Sequence, residues 1–123
     1  MDYLNIINQN LNEEKNSFLY LFYEMDYFDI AKFKEFCHAI GELTKERKKN
    51  NSFDGQLLSE LIFIEQTICL SFSGGTKPFD SDNKQALEEN YLEYYVIFNN
   101  LLRYYVTKTD DLSYLKLDFY ETI

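Results

Sequence analysis

The residues of this sequence that could carry out catalysis are few and are not arranged for it. Glu35 and His38 are spaced to share one helix face, as in di-iron bundles, but those need two such pairs and the chain has one histidine. Cys37 would point about 100° away from His38 on a helix, so the two cannot act as a thiol–imidazole pair. Cys69 lies in an apolar stretch where a thiolate is costly. The sequence therefore predicts no metal site, no cofactor and no enzyme.

Two further motifs have simpler structural explanations. Residues 74–78 read Gly-Gly-Thr-Lys-Pro, but the phosphate-binding loop requires GxxxxGK[ST] after a strand, so a loop between helices is the better interpretation. The basic cluster formed by Lys45, Arg47, Lys48 and Lys49 fits the last turn of a helix, where cations complement the helix dipole.

The size and composition of the chain indicate one folded domain over residues 1–123. Hydrophobic residues make up 46% and aromatic residues 18% of the chain, which is enough to form a core. Eleven tyrosines and eleven phenylalanines without a tryptophan are typical of an AT-rich bacterial or phage genome.

The net charge of −9 excludes two classes of partner. Nucleic acid needs Lys and Arg to displace its counterions, and anionic membrane surfaces repel an acidic protein. A basic protein, by contrast, would be attracted. Two cysteines in apolar patterns indicate free thiols in a reducing compartment, and the N-terminal segment has no secretory signal pattern. We expect a cytoplasmic protein.

The segment 87–106 is the helix around which the fold is predicted to form. Its apolar residues recur at intervals of three and four, which places them on one helix face. These residues are Leu87, Tyr91, Tyr94, Phe98, Leu101 and Tyr105. A stripe this wide requires other helices to cover it.

Three more helices and a tail complete the predicted fold. The first runs from Asp2 to Met25, with a possible break in its polar middle at residues 8–16. Asp26 is predicted to cap the second, with Asp29 in its first turn, and that helix extends to Lys49. The third, capped by Asp54 or Ser52, is apolar almost all round and is predicted to be the most buried.

Residues 80–82 are predicted to cap the helix that contains segment 87–106. Asp82 and Gln85 have the spacing of a capping box at its start. The tail 112–123 fits a short helix or an extended segment. Four long helices with short connections predict an all-α fold, an antiparallel four-helix bundle with that tail.

Acidic residues concentrate in two segments of the chain, and tyrosines accompany them. A core of this size does not need so many phenol hydroxyls, so some tyrosines should form a rigid, amphipathic binding surface beside the carboxylates. The predicted partner-binding residues are Glu24, Asp26, Asp29, Asp80, Asp82, Glu88, Glu89, Tyr91, Glu93 and Tyr95.

The run Tyr91-Leu92-Glu93-Tyr94-Tyr95, with the nearby acids of segment 80–89, resembles the acidic, tyrosine-bearing surfaces of bacterial immunity proteins. The resemblance extends to size, acidity and helicity. It implies that the chain tightly binds a basic toxin domain, often a nuclease, and blocks it. Carboxylates would meet the Lys and Arg that normally hold phosphates, while tyrosines would fill the desolvated centre.

Two alternatives remain open from the sequence. A phage-encoded nucleic-acid mimic that inhibits a defence nuclease would need carboxylates spaced along one extended face. A structural or regulatory helical protein would instead self-associate through its aromatic face, as a homodimer.

Overall fold

The computed structural model describes residues 2–50, 54–73 and 80–107, and 82% of these are helical. The helices are α1 (Tyr3–Leu11), α2 (Phe18–Glu24), α3 (Ile30–Asn50), α4 (Gly55–Ser73) and α5 (Lys84–Thr107). Two short strands, β1 (Tyr27–Phe28) and β2 (Asp80–Ser81), pair in parallel. The predicted all-α class is confirmed. The predicted tail and the alternative cap Ser52 lie outside the described residues.

The predicted first helix is two helices, α1 and α2, which meet at a buried asparagine. The Asn10 amide donates to the Ile6 carbonyl (2.9 Å), and its oxygen accepts from the Leu19 N–H of α2 (3.0 Å). Between the helices, Glu13 and Asn16 have positive φ angles, which end a helix. The break therefore falls within the polar segment 8–16. The described residues therefore form five helices and not four, and the antiparallel four-helix bundle stays a prediction.

The core lies where α3 packs on α1 and α5, and α5 packs on α4. Phe18 of α2 contacts the rings of Phe28 and Phe33 at centroid distances of 5.1 and 5.3 Å. The predicted stripe of α5 is confirmed, since all its members are buried apart from Tyr91, which is 44% exposed. The buried Tyr105 fastens the end of α5 to the start of α4. Its hydroxyl donates to the Asp54 carbonyl (3.2 Å) and accepts from the Asp54 N–H (3.1 Å).

The helix starts differ in part from the prediction. Asp54 caps α4 as expected, accepting from the Gln56 and Leu57 N–H groups. Asp26 was the wrong cap for α3, because helix geometry begins only at Ile30 and Asp29 accepts from the first turn (Lys32 N–H, 2.9 Å).

The predicted capping box at α5 is also wrong. Asn83, not Asp82, accepts from the first turn of α5 (Ala86 N–H, 3.1 Å). Asp82 is directed to another helix, because its carboxylate reaches the N-terminus of α3.

The prediction that α4 is the most buried helix is wrong. Its inner stripe is buried as expected, from Leu57 to Ile68. On its other side, however, Ile62, Phe63 and Leu70 are 39%, 58% and 72% exposed. The helices that pack on α4 cover only part of its circumference, so its apolar character continues onto the protein surface.

Candidate functional site

The pairing of β1 with β2 brings two distant acidic segments of the chain together. Tyr27 lies opposite Asp80 and Phe28 lies opposite Ser81, and the Asp80 N–H donates to the Asp26 carbonyl (3.2 Å). Phe28 anchors the pair, because its side chain is fully buried and contacts several core rings. We call the resulting surface, formed by Asp26, Tyr27, Asp29, Asp80 and Asp82, the acidic junction.

The N-terminus of α3 explains why carboxylates gather at the acidic junction. The first N–H groups of a helix have no partner within the helix and carry partial positive charge. The Asp82 carboxylate accepts from the Ile30 N–H (2.7 Å) and the Ala31 N–H (3.3 Å), from 52 and 51 residues away. Asp29 caps the same turn from within its own segment. Asp82 thus ties the segment before α5 to the start of α3.

The surroundings of Asp82 favour its charged form. Burial alone would raise the pKa of this carboxyl, but hydrogen bonds from the Ile30 and Ala31 N–H groups and the Ser81 hydroxyl outweigh burial and lower the pKa below its ordinary value of 3.8. The acidic junction therefore keeps this negative charge down to acid pH.

Tyr27 is the aromatic member of the acidic junction. Its side chain is partly exposed, and its pKa is raised by burial and then by the charges of Asp29, Asp82 and Asp80. The phenol therefore stays protonated and can donate a hydrogen bond from among these carboxylates. Tyr27 was not among the predicted partner-binding residues, although its position between Asp26 and Asp29 is a signal for it.

The first turns of α5 add further exposed acids beside the acidic junction. Glu88, Glu89 and Glu93 are all exposed. The pKa of Tyr94 is raised by burial and then by the charges of Glu93 and Asp82, so both carboxylates lie near the same phenol. The negative potential of the acidic junction thus continues onto α5.

The other predicted site residues divide between the surface and the interior. Glu24 is exposed at the end of α2. Tyr91 is 44% exposed, and its ring contacts that of Phe72 at a centroid distance of 5.5 Å. Tyr95 lies apart from them, because its hydroxyl is directed to α4.

The contact of Tyr95 belongs to a second polar region, which we call the α4–α5 seam and define as Glu65, Cys69, Tyr95 and Asn99. The Tyr95 hydroxyl donates to the Glu65 carboxylate (2.6 Å), which also accepts from the Asn99 amide (3.3 Å). The hydrogen bond to Glu65, then burial and then the hydrogen bond with Cys69 raise the pKa of the phenol well above its ordinary value. A phenol held protonated in this way joins two helices and cannot act as a base.

Metal binding, cysteine reactivity and membrane crossing each place requirements on the part of the chain that the structure describes. No three His, Cys, Asp or Glu side chains there are grouped to hold a metal ion. Both cysteines are free thiols, and burial raises the pKa of Cys37 well above its ordinary value, so this thiol is poorly reactive. None of the described helices combines the length and the apolar character needed to cross a membrane.

The predicted basic cluster lies at the other end of α3 from the acidic junction. Its last turn carries Arg47, Lys48 and Lys49. Lys45, Lys48 and Lys49 line an open groove of about 820 Å³ together with Tyr3 and acids of the same helix. The carboxylates of Asp29 and Asp82 therefore lie against the start of α3, and three cations lie in its last turn.

Comparison of the chain with known protein families, with curated protein sequences and with solved structures finds no match.

Proposed function

We propose that this chain binds a basic protein toxin domain and blocks it, in the manner of a bacterial immunity protein. The observation that carries the proposal is the β1–β2 pairing, which gathers Asp29, Asp80 and Asp82 around the Tyr27 phenol, with Asp26 bonded to Asp80 through its backbone. A cationic surface would find several carboxylates and a hydrogen-bond donor there, held on a rigid core.

The charges and the aromatic residues would have separate tasks. The carboxylates would attract the partner and set the rate and specificity of association. Tyr91 and Leu92, 44% and 64% exposed beside the acids of α5, would supply the apolar contacts that exclude water. If the toxin is a nuclease, its Lys and Arg would meet carboxylates in place of phosphates.

The arrangement of the acids favours a protein partner over the mimicry of nucleic acid. A mimic needs carboxylates repeated along an extended face, whereas the acids of the acidic junction converge on one end of α3. Asp29 and Asp82 are also fixed by the backbone of that helix, which suits a compact cationic patch better than a phosphate ladder.

The proposal is tested with toxin domains encoded beside the gene of this protein. Co-expression should restore the growth of cells that produce the cognate toxin. With the purified pair, Glu89→Lys combined with Glu93→Lys should slow association about tenfold and reduce its dependence on salt, because electrostatic steering is weakened.

A matched pair of substitutions controls for net charge. Glu42→Lys with Glu46→Lys changes the total charge equally, but Glu46 lies about 24 Å from Ile30 along α3, at 1.5 Å per residue. Association of this variant should remain close to the wild-type rate. The proposal would be overturned if both pairs slowed association equally, or if the protein failed to restore growth with every toxin encoded beside its gene.

A further inference from the structure

The exposed side of α4 forms a continuous face of apolar and uncharged residues. We call it the outer face of α4 and define it as Ser59, Ile62, Phe63, Gln66 and Leu70. Ser59, Ile62, Gln66 and Leu70 follow one another at helical spacings of three and four, and Phe63 lies four residues after Ser59 and three before Gln66, so all five share one side of the helix. The aromatic side chain of Phe63 is 58% exposed, and the aliphatic side chain of Leu70 is 72% exposed.

The charged residues of α4 lie on either side of this face and not on it. The helix contains no Lys or Arg, and its acids are Glu60 and Glu65. Glu65 accepts from Tyr95 of α5. Burial, then the charge of Glu13 and, to a smaller degree, the charge of Glu60 raise the pKa of Tyr23, so Glu60 lies on the side of α4 toward α2. The outer face of α4 is therefore uncharged in a chain with a net charge of −9.

We propose that a second copy of this chain packs on the outer face of α4, so that two α4 helices meet around a twofold axis. Two copies of so acidic a protein repel each other wherever carboxylates face carboxylates, and this face allows approach without that cost. A cationic partner, by contrast, finds no carboxylate on the face to bind. Self-association here uses a surface distinct from the acidic junction and does not depend on the proposed function.

The spacing of the residues fits an antiparallel pair of α4 helices. Ile62, Gln66 and Leu70 are separated by four residues each, with Gln66 in the middle. A twofold axis at Gln66 places the two glutamines together, where their amides can exchange hydrogen bonds, and it places Ile62 opposite Leu70 of the partner subunit. The short side chain of Ser59 permits close approach of the helices.

The size of the face indicates a concentration-dependent dimer. A helix of 19 residues is about 28 Å long, and one helix pair gives an interface at the small end of the range for specific complexes. Sedimentation velocity of the full chain should therefore show a change from one copy to two between about 1 and 100 µM.

Gln66→Glu is the variant that tests the twofold axis. It has nearly the same shape as the wild-type side chain, it is exposed, and it would place two carboxylates against each other. We expect dimerisation to weaken at least about tenfold. Gln56→Glu, the same change at another exposed position of α4, should leave dimerisation unchanged. Equal behaviour of the two variants, or a single copy of the wild type at every concentration, overturns the proposal.

Cross-linking gives an independent readout of the geometry. In a Cys69→Ser background, Gln66→Cys should form an intermolecular disulfide readily under mild oxidation, and Gln56→Cys should do so far less. If residues 108–123 of the same chain cover the face instead, the thiol at position 66 will form no dimer and will react slowly with a maleimide. That result also overturns the proposal.

Discussion

The acidic junction and the α4–α5 seam are built from the same chemical groups, but they use them in opposite ways. In the α4–α5 seam, the Glu65 carboxylate accepts hydrogen bonds from the Tyr95 hydroxyl and the Asn99 amide, so its charge stabilises the contact between the two helices. In the acidic junction, Asp82 is held by backbone N–H groups, and the side chain remains exposed. Acid and tyrosine together therefore do not identify a binding surface. A binding surface is distinguished by carboxylates that are bonded by backbone N–H groups. In a structural contact, the tyrosines themselves bond the carboxylates.

The largest expected effect comes from removing the anchor of the acidic junction. Phe28→Ala deletes a fully buried ring that contacts Phe18 and Phe33, and we expect it to lower the free energy of unfolding by about 3–5 kcal/mol. Phe63→Ala removes the same ring from a position that is 58% exposed and contacts the ring of Tyr23 (centroid distance 6.3 Å), so its effect should stay at about 1 kcal/mol. Urea denaturation measures both. Comparable losses in the two variants would show that β1 does not anchor the junction.

A smaller effect is expected from cutting the α4–α5 seam. Tyr95→Phe removes a hydrogen bond to a carboxylate and should cost about 1.5 kcal/mol at neutral pH. Because the folded pKa of this phenol lies above its ordinary value of 10.0, its contribution is fully present below pH 10 and is lost as pH rises through the folded pKa. The stability difference between variant and wild type should therefore shrink in strong alkali. A difference that grows with pH above 10 would contradict this account.

The contrast between the two regions also explains what could be predicted from the sequence. Helical periodicity correctly placed the buried side of α5, and capping preference correctly included Asp54 as one of two candidate caps of α4, because both depend on neighbours in the chain. The role of Asp82 could not be predicted in the same way, since its partners are 51 and 52 residues away. The strand pair is two residues long, too short to leave a periodic pattern.

The wrong prediction for α4 and the unpredicted contact of Tyr95 with Glu65 share one physical cause. An apolar helix can face a core on every side or continue onto a surface, and only the positions of its neighbours distinguish the two. Phe63 and Leu70 therefore could not be assigned from composition. Tyr95 lies four residues after Tyr91 on the same helix, but its hydroxyl reaches Glu65 of α4, whereas Tyr91 is 44% exposed. Tertiary placement, and not residue type, separates the structural tyrosine from the exposed one.

The smallest of these effects gives the sharpest test of the comparison. Asp82→Ala removes a cap from α3 and should lower the free energy of unfolding by about 1 kcal/mol at pH 7. The folded pKa of Asp82 lies below its ordinary value of 3.8, so its contribution is present above that value and is lost as pH falls through the folded pKa. The difference from wild type should therefore disappear in acid, whereas that of Tyr95→Phe disappears in alkali. Glu88→Ala, on the exposed surface of α5, should change stability by less than about 0.5 kcal/mol. If the loss in Asp82→Ala were unchanged from pH 7 to acid, the carboxylate charge would play no part in holding β2 to α3, and the two regions would not differ in the way proposed.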